Sequence, residues 1–284
     1  MVDPHVDKLY YKVVTKEYTD YDKAAPLKEE ADNFMMTLQK DKAVFVMEKH
    51  FSTEQEARAV VDEYIKRWEI LIGIEHGPDA LKLIFEKSDI IDRAPTPERK
   101  DGLTIHVKSG IYAVTGLDAK LHVSRSKYPT LPKQFSLSPD VETMYFRYKA
   151  YKENREALLS MAYMCLTVLE ASAGGRKEAA SRYHINIEVL NKLGELCSTR
   201  GTKEEIRKAP KNGQFKPLSD TERTWIETVI KLLIRRAGEW AYDPTADLKK
   251  IPLRLSAWGK LDCRSRQRTA FGFFSYLLHE SICV

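Results

Sequence analysis

The chain has 284 residues, of which 43% are hydrophobic and 31% charged. This composition is typical of globular proteins and excludes fibrous and fully disordered classes. No basic start precedes an apolar run, and no stretch of about 18 apolar residues occurs, so we expect no secretory signal, no membrane span and a cytoplasmic location. The four cysteines form no C-x-x-C pair and predict buried, reduced thiols rather than a zinc site. They are Cys165, Cys197, Cys263 and Cys283.

The net charge of +5 is unevenly distributed along the chain. Residues 1–136 contain 21 Lys and Arg against 23 Asp and Glu, whereas residues 137–284 contain 25 against 18. The basic excess is therefore C-terminal, where it can attract a nucleic acid or an acidic partner.

Short β-branched and aromatic runs predict strands in residues 1–135. These runs cover residues 9–15, 34–38, 43–48, 81–85, 104–107, 111–115 and 120–124. One helix lies between them: Ser52 or Thr53 caps it, helical apolar spacing continues to Ile72, and Gly73 and Gly77 end it. The pattern predicts an α+β fold for this half, with the helix covering a mixed sheet.

A proline-containing connector at residues 128–132 marks a domain boundary, and helical periodicity follows it. Ser138-Pro139 predicts the start of a helix of about thirty residues that ends at Gly174. A helical pair at residues 176–199 and a long helix capped at Ser219 complete an all-α bundle over residues 136–250. Residues 251–284 form a basic and aromatic C-terminal tail. The tail either docks on its own core or contacts a membrane surface or a partner.

Residues 178–193, EAASRYHINIEVLNKL, resemble a helix-turn-helix motif. Ala180 supplies the small residue where two helices touch, and Asn186 can cap the second helix. His184 occupies the turn position usually held by Gly, a left-handed site that His adopts with some strain. Three apolar residues fall at the anchor positions, namely Ile185, Leu190 and Leu193. The segment is either a DNA-reading motif or a tight corner between packed helices.

The resemblance implies a set of candidate nucleic-acid contacts on and beside this segment. Asn191 can read an adenine, and Lys192 can contact a phosphate or a guanine. Glu188 and Glu195 share the outer face of the second helix and oppose binding. The candidate residues are Arg176, Lys177, Arg182, Asn191, Lys192 and Arg200.

Residues 138–243 also resemble the HEPN-type helical bundles of bacterial defence and toxin proteins. The resemblance rests on Tyr148, Glu156 and Glu170 in the long helix and on the stretch IRRAGE at residues 234–239. RNA-cleaving members of that family carry an Arg followed four to six residues later by a His, and this chain lacks such a pair. The resemblance therefore implies a non-catalytic interaction or dimerisation bundle.

An enzymatic role stays open as the alternative. Carboxylates after a strand, Asp89 and Asp92, together with His106 or Arg235, could form a metal-dependent nuclease or phosphate-handling site at the domain interface. The chain has no H-E-x-x-H, G-x-S-x-G or phosphate-loop motif to support it. Arg235 and Arg236 are otherwise expected to be structural, pairing with Glu227 or Glu239, or else to contact a phosphate.

The sequence thus favours a non-enzymatic binding or regulatory protein without a cofactor or metal. We expect the helical domain to contact a nucleic acid or a protein partner, and we expect the chain to form a homo-oligomer.

Overall fold

The computed structural model describes residues 3–15, 19–93, 105–106, 123–129, 134–201 and 216–254. Contacts divide the chain into two compact units. The first unit comprises Met1–Arg155 and Gly238–Pro244, and the second comprises Glu156–Ala237 and Thr245–Val284. Strands and helices are both present, so the α+β class predicted from the sequence is confirmed.

A six-stranded antiparallel sheet forms the centre of the first unit. Its strands are β1 (Pro4–Thr15), β3 (Leu27–Ala31), β4 (Phe34–Gln39), β5 (Lys42–Met47), β6 (Leu81–Asp92) and β7 (Ile105–His106). They lie in the order β3-β4-β5-β1-β6-β7. Strands β2 (Thr19–Asp20) and β8 (Val123–Ser124) form a separate parallel pair.

Alternation along the strands gives this sheet two chemically different faces. The inner face is apolar and buried, and it includes Leu9, Tyr11, Phe34, Met36, Leu38, Ala43 and Phe45. We call the opposite side the outer face. It carries Lys8, Tyr10, Lys12 and Val14 of β1, with Lys28, Glu30, Met35, Thr37, Gln39, Lys42, Val44, Val46, Lys82, Ile84, Lys87 and Asp89 from the neighbouring strands.

Helix α1 (Glu54–His76) covers the inner face. Thr53 and Glu56 form the expected capping box, and Tyr11 donates a hydrogen bond to Asp62 over 2.7 Å. The sequence predicted that Gly73 and Gly77 end this helix. Gly77 is its C-cap, but Gly73 lies inside the helix. A Cβ atom at Gly73 would lie 1.9 Å from the hydroxyl of Tyr145, so the glycine allows this side chain to pack closely.

The predicted thirty-residue helix is two helices, α2 (Pro139–Lys152) and α3 (Leu158–Ala173). Asn154 adopts a left-handed conformation with a φ of 58°. Its N–H donates to the carbonyl of Tyr151, and the N–H of Arg155 donates to the carbonyl of Ala150. This pair of bonds is the Schellman motif that ends helices, with Asn in the position that Gly usually takes.

The helices of the second unit are α3, α4 (Arg176–Arg182), α5 (Ile187–Thr199) and α6 (Asp220–Tyr242), which continues into the first unit. Ser219 and Glu222 form the predicted capping box of α6. Buried apolar residues join these helices, including Leu166, Leu169, Val189, Leu190, Leu193, Ile226, Val229, Ile230 and Leu233. Cys165 and Cys197 are buried free thiols, as expected. Within the described ranges, no single helix is long and apolar enough to cross a membrane, and α3 with α4 meet that test only as a pair bent by 82°.

Some predictions fall outside the described residues. These are the strand at 111–115, most of the tail at 251–284 with its basic and aromatic runs, and two cysteines, Cys263 and Cys283. The described start of the tail contains Ile251, which is buried and forms a bridge with Ile185.

Candidate nucleic-acid interface

Helices α4 and α5 meet at a tight corner, which we call the helical corner (Arg176–Thr199). His184 has a φ of 49°, the left-handed conformation expected at this turn. Its N–H donates to Ser181, and the N–H of Ile185 donates to Ala180 over 2.9 Å, which again forms a Schellman motif. Asn186 caps α5 by accepting the N–H of Glu188. The local sequence therefore specifies the turn.

Arg236 of α6 donates hydrogen bonds to the backbone of this corner and lies inside the second unit. Its side chain is 3% exposed and donates to the carbonyl oxygens of Tyr183, His184 and Lys249 over 3.0, 3.1 and 2.8 Å. The carbonyls at the end of α4 have no partner within the helix, so a buried guanidinium fork satisfies them. Arg236 thus holds the turn and the chain after α6 together, which is the structural role expected from the sequence.

Arg176 and Asn191 are held by contacts within the second unit. Arg176 donates to Glu170 over 2.5 Å, and its guanidinium lies 3.5 Å from the Asn191 side chain. Gly194 leaves room for it, because a Cβ atom there would lie 2.9 Å from the guanidinium. Asn191 also donates to Glu188 over 3.3 Å. Both side chains are thus engaged within the second unit, although Asn191 is exposed.

Of the four remaining candidate residues, three contact groups of the second unit. Arg182 donates to the carbonyl of Ser172, Lys192 lies 4.4 Å from the centre of the Trp225 ring, and Arg200 donates to Glu222 over 3.0 Å. Lys177 is exposed on α4. The helical corner contains four basic and three acidic side chains. The helical corner therefore offers little net attraction for a phosphate backbone.

Of the residues of the enzymatic alternative, the structure separates Asp89 from Asp92 but places Asp89 opposite His106. Strand β6 continues to Asp92, so Asp89 and Asp92 lie within the strand, not after it as predicted. They are three positions apart and therefore point to opposite faces. Asp89 accepts a hydrogen bond from Tyr10, and Asp92 accepts the N–H of Asp3. His106 is the register partner of Asp89 in β7, and Arg235 belongs to the second unit. Among the described residues, no cluster of three metal-ligating side chains occurs.

The outer face of the sheet carries a basic surface that sequence reasoning missed. Six lysines and two carboxylates share it: Lys8, Lys12, Lys28, Lys42, Lys82 and Lys87, with Glu30 and Asp89. Lys12 of β1 lies directly opposite Lys42 of β5, and both side chains are exposed. Neither has an ion-pair partner among the residues that the structure describes. The alternation of Lys8, Tyr10 and Lys12 within β1 is the signal that could have revealed this face.

Other charges on the outer face are partly neutralised. Lys8 lies 3.2 Å from Asp7, and Lys87 lies 3.5 Å from Asp89. Tyr10 donates to Asp89 over 2.7 Å, and desolvation together with this hydrogen bond raises the pKa of Tyr10 to about 12. Tyr10 therefore stays an uncharged aromatic donor at neutral pH.

Lys82 of the outer face and two lysines elsewhere in the first unit show the opposite arrangement. They line a cavity of about 330 Å³ between α1, β6 and α2. Lys66 pairs with Glu142 over 2.7 Å, and Lys82 and Lys149 share Asp79 over 2.9 and 2.8 Å. The cavity is thus balanced in charge, whereas the Lys12–Lys42 pair is not.

No protein-family model, curated protein or solved structure matches the chain. The functional assignment therefore depends on the geometry of these surfaces.

Proposed function

We propose that this protein is a non-enzymatic nucleic-acid-binding protein and that the outer face of the sheet makes the contact. The observation that carries the proposal is the exposed, directly opposed pair of Lys12 and Lys42. Like charges facing each other across two strands destabilise a sheet, and an anion between them removes that repulsion. Nucleic-acid binding depends mainly on lysine and arginine contacts to phosphate.

Charge distinguishes the outer face from the helical corner as a binding surface. The outer face has six lysines and two carboxylates, whereas the helical corner has four basic and three acidic side chains. Glu188 and Glu195 are exposed on α5 and would repel a phosphate backbone. The proposal thus keeps the binding role predicted from the sequence and moves its site to the sheet.

The remaining predictions from the sequence belong to the same proposal. The second unit serves as a separate all-α interaction or dimerisation domain, in keeping with the HEPN-type resemblance and the expected homo-oligomer. A nucleic-acid-binding protein of this kind acts in the cytoplasm, where the sequence predicts it.

Fluorescence anisotropy with a labelled single-stranded oligonucleotide, measured across a salt series, tests the proposal. The wild-type chain should bind with an affinity that falls as salt rises. In the Lys12→Ala/Lys42→Ala variant, the slope of log affinity against log salt should become less steep by about 0.7, because the two lysines share one phosphate and each phosphate contact contributes about 0.7 for single strands.

The matched control is Lys177→Ala/Lys192→Ala, which removes the same charge from the helical corner. This control should leave the salt slope unchanged. Equal loss of slope in both variants would indicate a nonspecific charge effect and would refute the assignment to the sheet.

A further inference from the structure

Tyr10 lies at the centre of the outer face, between Lys8 and Lys12 on the same strand. Side chains two positions apart on a strand are separated by about 7 Å, so the two lysines are about 13 Å apart with the aromatic ring between them. Tyr10 is also flanked by Val44 on β5 and Lys87 on β6. A ring between two cations is the arrangement that holds one base and the phosphates on either side of it.

Building on the proposed function, we infer that the ligand is a single strand that runs along β1 with one base stacked on Tyr10. Lys8 and Lys12 then contact the phosphates on either side of that base. Lys42 reaches the second of these phosphates from β5, opposite Lys12. The stacked base carries the aromatic part of the binding, and the lysines carry its salt dependence.

Lys87 can make room for the base. Its ammonium lies 4.2 Å from the centre of the Tyr10 ring. A cation over a ring at a partly exposed site is a weak contact, so a base can replace it at small cost. Tyr10 keeps its orientation during this exchange because its hydroxyl donates to Asp89.

The width of the face favours a single strand over a duplex. The side chains of the outer face extend over five neighbouring strands, β3, β4, β5, β1 and β6. Neighbouring strands lie about 4.8 Å apart, so the face is about 19 Å wide. The major groove of B-DNA is about 12 Å wide, so the sheet cannot enter it. A duplex presents only phosphates to such a surface, whereas a single strand also presents its bases.

Three ligands of equal length separate the contributions: a single-stranded oligonucleotide, its duplex and an abasic strand that keeps the phosphates without the bases. The wild-type chain should bind the single strand about tenfold more tightly than either of the others. Tyr10→Leu should remove that tenfold preference over the abasic strand, because leucine keeps apolar bulk without an aromatic face. Tyr10→Phe retains the ring but loses the hydrogen bond to Asp89, so it should keep most of the preference.

The outcomes distinguish the inference from the proposed function. The three ligands could bind with equal affinity while Lys12→Ala/Lys42→Ala still reduces the salt slope. That result would overturn the single-strand inference and leave the proposed function intact. Salt-independent or absent binding would overturn both. Displacement of the strand by poly-glutamate at equal charge concentration would assign the face to an acidic protein and would also overturn both. Thermal unfolding of each variant verifies that the sheet is folded.

Discussion

The outer face of the sheet and the helical corner both carry lysine or arginine side chains, but they use them differently. In and beside the helical corner, Arg176 and Arg200 each bind a carboxylate, and Arg236 of α6 binds three carbonyl oxygens. On the sheet, Lys12 and Lys42 face each other and the solvent. A cation that satisfies a neighbouring group stabilises the fold, whereas a cation without an acidic neighbour is available to a ligand. Substitutions in the two regions should therefore affect different properties.

The largest expected effect is on stability, at Arg236. Arg236→Leu removes three hydrogen bonds to carbonyl oxygens, of which that of His184 still accepts the N–H of Ile251, so we expect the free energy of unfolding to fall by about 3 kcal/mol. Urea denaturation monitored by circular dichroism measures it. Arg236→Lys should lose less, because one ammonium replaces only part of the fork. An unchanged denaturation midpoint in Arg236→Leu would contradict the structural role.

Charge reversal on the sheet should produce the largest effect on binding. Lys12→Glu/Lys42→Glu replaces two phosphate-attracting groups with repelling ones, and we expect the affinity for a single strand to fall about a hundredfold, or by about 2.7 kcal/mol. Stability should change little, since the new pair is again two like charges. Lys177→Glu/Lys192→Glu provides the control with the same change in net charge. If the control loses as much affinity, the two regions do not differ as we describe.

A smaller effect is expected at the ion pair between Arg200 and Glu222. Both side chains are about one-fifth exposed, so Arg200→Ala should lower stability by about 0.5 to 1 kcal/mol with no change in binding.

This stabilisation should depend on pH. The backbone N–H of Ser219, with Arg200, holds the pKa of Glu222 below its ordinary value of 4.5. Because the folded pKa is the lower one, the stabilisation is present above about pH 4.5 and is lost as the pH falls through the folded pKa. The difference between wild type and Arg200→Ala should therefore shrink in acid, and a difference that grows would contradict the pairing.

The smallest effect should come from Lys42→Thr. Relief of repulsion from Lys12, together with a residue that favours strands, should raise stability by about 0.3 kcal/mol while affinity decreases. Thermal unfolding and anisotropy measure the two changes. A loss of stability would show that Lys42 has a structural role like that of the arginines in the helical corner.

The elements predicted correctly depend on neighbours in sequence. The cap at Thr53, the Ser138-Pro139 start and the capping box of Ser219 were identified because each uses residues within one turn of the chain. His184 was placed in the left-handed turn for the same reason. The end of α2 was missed because Asn154, unlike Gly, gives only a weak signal for a left-handed residue.

The errors concern features that depend on a distant partner. Strand β6 was expected to end near Phe85, but its pairing with β1 extends it to Asp92. Asp89 therefore lies within the sheet, where it accepts a hydrogen bond from the hydroxyl of Tyr10. Similarly, no local pattern indicates that Arg176 lies against Gly194 or that Lys192 lies over Trp225.

The sequence by itself determined the α+β class, the caps and turns, and the alternation that places Lys8, Tyr10 and Lys12 on one face of β1. These depend on backbone geometry and on side chains a few positions apart. Only the tertiary structure decided which cations are neutralised, because ion pairing and register join residues far apart in the chain. In the folded chain, Lys12 lies opposite Lys42, and Arg200 pairs with Glu222. The proposed binding surface follows from that difference.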